Sequence, residues 1–151
     1  MMTSYQQYEI DDDPGRIDFD TVHGWLSSTY WSPGIERWKV EQAAAHSEVV
    51  VGVYLDRAQV GYARVVSDTI RFAYLADVYV DEGHRGRGIA QALLTYVQNH
   101  PSLLETPHVT LKTLDAHRVY ARAGFEPIPD PENWMRWKRS GASLSDPRSE
   151  R

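Results

Sequence analysis

The passage that most constrains this chain is Val80-Asp81-Glu82-Gly83-His84-Arg85-Gly86-Arg87-Gly88-Ile89-Ala90, which leaves a strand-like run and enters a helix-like one. Upstream, Arg71–Val80 is aromatic and β-branched, as a strand requires. Downstream, Ile89, Ala92, Leu93, Tyr96 and Val97 fall at i, i+3, i+4, i+7 spacing, predicting a helix over Gly88–His100 that Pro101 stops. Glycines between them let the backbone turn tightly and bring its N–H groups to a ligand without a Cβ in the way. The helix N-terminus adds unpaired donors and a partial positive charge. Arg85 and Arg87 add guanidiniums suited to phosphate oxygens. By these residues alone the loop is either a phosphate cradle or a helix start that is merely rich in glycine and arginine. Two nucleotide motifs fail on detail. Ile89-Ala90 stands where a nucleotide-hydrolase loop needs Lys then Ser or Thr, and the glycines run G-x-x-G-x-G, not G-x-G-x-x-G.

Around this unit the chain reads as a mixed α/β (α+β) order. A short strand near Tyr5–Ile10 precedes the turn-rich Asp11-Asp12-Asp13-Pro14-Gly15. Helical spacing over Phe19–Tyr30, with Asp18 or Asp20 as cap, and over Ile35–Ala45 gives two helices separated by Ser32-Pro33-Gly34. Glu48–Leu55, Gln59–Ser67 and Arg71–Val80 then predict an antiparallel meander. His108–Leu114 alternates as a strand, Asp115 is placed to cap a helix running to Ala123, and Gly124 stands where that helix should end. Asn133–Arg139 is the expected last strand, so residues 1–139 make one domain and 140–151 a disordered tail.

Composition narrows the function. The formal charge of -5 over 151 residues argues against nucleic acid as partner. The absence of cysteine removes disulfides, cysteine-rich zinc sites and a cysteine-linked acyl-enzyme. The histidines show no paired H-x-x-x-H spacing, so no metal is expected. No apolar run is long enough to span a membrane, and Met1–Ile10 lacks a signal-peptide centre, which points to the cytoplasm.

Arg85-Gly86-Arg87-Gly88-Ile89-Ala90 resembles the R/Q-x-x-G-x-G/A motif of the GNAT superfamily of N-acetyltransferases, with Arg85, Gly88 and Ala90 at the defining positions. Gln91-Ala92-Leu93-Leu94 continues like the helix that follows. Asp115-Ala116-His117-Arg118-Val119-Tyr120-Ala121-Arg122-Ala123-Gly124-Phe125-Glu126-Pro127 resembles the family's second signature, a tyrosine ahead of a Gly-Phe pair. The resemblance covers Glu48 to Pro127, and some segments look like a bacterial branch of the family. It implies the GNAT fold: a mixed, mostly antiparallel sheet of about six to seven strands, splayed at the acyl-CoA site and flanked by about four helices. It further implies acetyl-CoA as co-substrate, its pyrophosphate on the amides of Gly86, Arg87, Gly88, Ile89 and Ala90. Its pantetheine arm would lie along the strand carrying Val78 and Val80. Asp115 departs from the pattern, standing where many members carry an asparagine that contacts that arm; His117 is a possible substitute.

Acyl transfer to an amine needs a neutral nucleophile, donors for the developing oxyanion and a proton for the departing thiolate. The family places its acid at Tyr120, a phenol that stays protonated at neutral pH; by the residues alone Tyr120 could equally pack on an amphipathic helix. Asp77 interrupts a buried-looking strand. It is a candidate to take the ammonium proton through water, to hold a cationic substrate, or simply to pair with Arg64. His23 is a second candidate base. Tyr30 and Trp31, beside the Ser32-Pro33-Gly34 break, are expected to line the acceptor side. The resemblance thus implies direct attack in a ternary complex on a small-molecule primary amine. A protein lysine or N-terminus is the alternative acceptor, and a non-catalytic acyl-CoA sensor the alternative class. Homodimers are common in the family, though no residue pattern here forces one.

Overall fold

The computed structural model describes residues 1–141, so the expected tail lies almost wholly outside the described residues. Six strands form one sheet in sequential order: β1 (Thr3–Tyr5), β2 (Tyr8–Asp11), β3 (Val49–Leu55), β4 (Ala58–Ser67), β5 (Ala73–Val80) and β6 (Val109–Thr110). The run near Tyr5–Ile10 is a hairpin, not one strand, because Gln6 turns the chain at a φ of 53°. β1 to β5 are antiparallel, as the meander of short turns predicts. β6 runs parallel to β5, since the helix between them carries the chain back over the sheet.

Four α-helices flank the sheet: α1 (Phe19–Leu26), α2 (Arg37–Ala45), α3 (Ile89–Gln98) and α4 (His117–Arg122). α3 buries Ile89, Leu93, Leu94, Tyr96 and Val97 against Val51, Val53, Val65 and Leu75 of the sheet. Each such burial contributes about 2 kcal/mol over an exposed side chain. α1 and α2 cover the opposite face with Val22, Leu26, Val40 and Ala44 over Val50 and Tyr62. Asp18 is the α1 cap, accepting from the Thr21 amide at 3.2 Å.

Other expectations fail as well, and the strand expected over His108–Leu114 pairs only at Val109–Thr110. α1 stops at Leu26, not at Tyr30, because hydroxyls there compete for backbone carbonyls: Thr29 Oγ1 and Ser32 Oγ donate to Leu26 O at 2.7 and 2.9 Å. Asp115 does not cap α4; the N-cap is Ala116, with no side-chain bond, and the Ala116 amide donates instead to Thr113 Oγ1. Asn133–Arg139 is not a strand: Pro131–Asn133 forms a 3-10 turn, and residues 134–139 join no ladder. Pro127, Pro129 and Pro131 lack the amide hydrogens a ladder needs, and Pro131 opens the 3-10 turn just before that segment.

The geometry that matters for function lies between β5 and β6. Their ladder consists of Ala73↔Val109 and Tyr74↔Thr110, and then the two chains part. Leu75–Val80 and Leu111–Leu114 therefore face each other across an opening in the sheet. On its other side β5 carries a bulge: Tyr62 faces Tyr79 and Arg64 faces Ala76, leaving Asp77 and Val78 opposite Ala63. Asp77 takes a φ of 56° there, a left-handed conformation that aspartate tolerates better than most residues.

Candidate active site

The glycine loop closes one end of the opening. Gly86 and Gly88 have φ of 77° and 80°, the left-handed region that favours glycine, and α3 begins immediately after with no side-chain cap. Among the described residues no acceptor takes the amide hydrogens of Gly86, Arg87, Gly88, Ile89 or Ala90. Unpaired donors at a helix start suit an anion such as a pyrophosphate. The arginines are arranged otherwise than their composition suggests. Arg85 Nε donates to Val80 O at 2.9 Å with its Cζ 5.3 Å from the Tyr79 ring centre, and Arg87 donates to Tyr8 Oη at 3.0 Å.

That second bond belongs to a staple invisible in the sequence. Tyr5 Oη donates to Arg87 O at 3.0 Å, and Tyr8 Oη meets His84 Nδ1 at 3.0 Å while its ring stands edge-on to the imidazole. The N-terminal hairpin thus holds the loop from behind through residues some eighty positions away in sequence. A Cβ on Gly88 would collide with the Tyr5 hydroxyl. No local pattern marks Tyr5, Tyr8 or His84 for this work.

Tyr120 is set by the way α4 ends. The Phe125 amide donates to Tyr120 O and the Gly124 amide to Ala121 O, each at 3.0 Å, with Gly124 at a φ of 91°. This is a Schellman motif, and its usual apolar contact is here the Tyr120 ring edge-on to Phe125 at 5.8 Å. The Gly-Phe pair after the tyrosine therefore fixes the tyrosine's own ring. Two glutamines tie α4 to α3: Gln91 Nε2 donates to Val119 O at 2.8 Å and Gln98 Nε2 to Ala123 O at 2.6 Å. Burial, then the neighbouring Tyr30 and the charge of Asp115, push the Tyr120 phenol up to about 12.

Asp77 is held at both oxygens. Arg64 Nε donates to Oδ2 at 2.7 Å and Trp31 Nε1 to Oδ1 at 2.9 Å, with the two charged side chains 19% and 14% exposed. The pairing with Arg64 is the structural alternative named for Asp77, and the bulge is what turns the carboxylate toward it. Beside the pair lies the Tyr62 hydroxyl, fully buried with no hydrogen-bond partner. Its titration is pushed up first by burial and then by Asp77.

Because α1 ends early, Tyr30 and Trp31 are free to cross the opening. Trp31 reaches Asp77 on the β5 arm, while Tyr30 Oη accepts from the Leu114 amide, on the other arm, at 2.9 Å. Their rings meet edge-on at 5.0 Å. His23 holds the α1–α2 loop, its Nε2 2.9 Å from Ile35 O. Asp115 is exposed near Tyr120, and Val78 and Val80 pack their side chains toward α3. Among the described residues no cluster of three or more His, Cys, Asp or Glu side chains could hold a metal ion. Among them, too, no helix is long and apolar enough to cross a membrane.

Residues 46–127 match the model of the acetyltransferase (GNAT) domain. The chain is similar to a Xanthomonas campestris protein assigned to the GNAT family, at 39% identity and a TM-score of 0.83, covering 89% of this chain and 94% of that one. A Gibberella zeae protein named as a candidate acetyltransferase is 28% identical over 76% of each chain. The fold also matches a Clostridium acetobutylicum protein crystallised with acetyl-CoA, at a TM-score of 0.64 and 18% identity, over 91% of this chain and 96% of that one.

Proposed function

Since the chain belongs to the GNAT acetyltransferases, we propose that it moves an acetyl group from acetyl-CoA to a primary amine of a small molecule, by direct attack while both are bound. The observation that carries the choice of acceptor is the Tyr30–Trp31 roof, tied to Asp77 on one arm and to Leu114 on the other. A roofed, aromatic acceptor side suits a small amine better than an extended peptide.

Acetyl-CoA supplies the activated thioester; the amides of Gly86 to Ala90 would hold its pyrophosphate, and the unpaired edge of β5 near Val78 would take its pantetheine arm. Tyr120 serves as general acid. Its phenol keeps its proton throughout the neutral range, so toward a departing sulfur it can act only as a donor. Asp77 is the anionic post of the acceptor side. With Arg64 and Trp31 on its two oxygens, it attracts and orients a cationic amine more readily than it strips a proton, which passes to water.

A thiol-release assay with acetyl-CoA against small amines, polyamines, amino acids and lysine peptides tests this reading. Turnover concentrated on one class of small amine supports it. Peptides outperforming every small amine would transfer the reading to a protein acceptor. Tight acetyl-CoA binding with no acceptor turned over would favour a sensor.

A further inference from the structure

Two features around Asp77 are left unexplained by packing. The first is the donor on Asp77 Oδ1, where the neutral indole N–H of Trp31 sits at 2.9 Å while Arg64 meets the other oxygen at 2.7 Å. An ammonium would bring a full opposite charge to that oxygen, which an indole dipole does not. The second is the Tyr62 hydroxyl on β4. Its side chain is fully buried, and among the described residues its oxygen has no hydrogen-bond partner. A buried hydroxyl left unpaired is costly and calls for an explanation. Tyr62 and Arg64 lie two positions apart on one strand and so share a face. Asp77 also stands second, after burial, among the causes that push the Tyr62 phenol up.

Building on the acetyl-transfer reading above, we propose that these groups form the subsite for the acceptor's ammonium, which displaces the Trp31 indole from Asp77 Oδ1 and takes the Tyr62 hydroxyl as its second acceptor. Trp31 is the part that moves, because the backbone on both sides of it is pinned. Thr29 Oγ1 and Ser32 Oγ hold Leu26 O, and the Gly34 amide donates to Ser27 O at 2.8 Å. Rotation of the Trp31 side chain is what remains to uncover the carboxylate. Tyr30 keeps the Leu114 amide meanwhile, so one end of the roof stays fastened. An ammonium carrying N–H hydrogens meets both oxygens; a quaternary ammonium has none to offer. The strand partner of Tyr62 is Tyr79, whose ring stacks on Trp25 at 5.0 Å. Such rings suit an apolar carbon chain behind the ammonium. Trp31 thereby sets specificity, since only a stronger donor than an indole N–H takes its place on Asp77.

Proton–nitrogen correlation spectra of the nitrogen-labelled full chain test this, with coenzyme A present because it has no acetyl group to transfer. Of the five tryptophan indole signals, the one from Trp31 is the one missing in Trp31→Phe. Phenethylammonium chloride should shift that signal, and its trimethylated form, of equal charge, should leave it in place. Trp31→Phe should bind phenethylammonium about tenfold more tightly, since no indole competes for Asp77. Tyr62→Phe should bind it about tenfold more weakly, while the urea midpoint holds or rises because the unpaired hydroxyl is gone. A purely structural Tyr62 would move stability and leave affinity alone. The proposal is overturned if phenethylammonium leaves the Trp31 signal unmoved, if the trimethylated form shifts it equally, or if Tyr62→Phe binds as the wild type does. The transfer reading fails separately, by thiol release: an amine that shifts the signal but is never acetylated leaves the subsite standing and removes the chemistry.

Discussion

Tyr120 illustrates how much a single side chain depends on its neighbours. Its ring is aimed by the Schellman contact with Phe125 and its proton is retained by burial. Tyr120→Phe should lower kcat by on the order of a hundredfold or more while KM for acetyl-CoA stays within a few-fold, read by steady-state thiol release. The raised phenol also sets a pH dependence. Folding favours the neutral form, so its contribution to stability is whole below the ordinary phenol value of about 10 and is lost as pH rises toward about 12. Tyr54, raised to about 12 chiefly by burial, acts in the same direction. Urea titrations from pH 9 to 11.5 should show stability falling at the alkaline end, and less steeply in Tyr120→Phe. At the bulge, Arg64→Leu leaves Asp77 largely buried with its cation gone; the midpoint of urea unfolding should report a loss of about 3 kcal/mol.

At the scale of elements, the N-terminal hairpin and the glycine loop act as one unit. Gly88→Ala meets both the left-handed backbone and the Tyr5 hydroxyl, so it should raise KM for acetyl-CoA well beyond tenfold. Adding Tyr5→Phe removes the collision but not the backbone strain, and should restore part of the affinity. A double variant no better than Gly88→Ala would show that the staple does not constrain the loop. α1 makes the complementary point at its other end. Its cap is local and replaceable, and Asp18→Ala should cost about 1 kcal/mol by thermal unfolding without touching kcat. The early termination of α1 through Thr29 and Ser32 matters more to the site, because it releases Tyr30 and Trp31 to span the opening.

For the whole molecule, the sheet is a frame packed between two helical layers. α3 and α1–α2 clamp its faces, while the β5–β6 ladder ends after two pairs. A ligand that bridges the parted strands should stabilise the entire fold. Acetyl-CoA at a hundred times its dissociation constant should raise the unfolding free energy by about 2.7 kcal/mol in differential scanning calorimetry. ATP at the same concentration should do markedly less, since the loop lacks the Lys-Ser/Thr pair of a nucleotide hydrolase.

By itself the sequence determined the meander, the strand–loop–helix unit and the Tyr120–Gly124–Phe125 helix end, because each depends on residues within a few positions of one another. It could not assign the last segment, which reads as a strand yet joins no ladder among the described residues. Nor could it distribute the arginines, since donors that suit phosphate equally suit a carbonyl or a tyrosine hydroxyl brought near by folding. The tertiary structure alone decided the Tyr5–Tyr8 staple, the Asp77–Arg64 pair at the bulge and the Tyr30–Trp31 crossing. Each joins groups distant in the chain, and their proximity is set by sheet register and by where helices stop, quantities that no local pattern encodes.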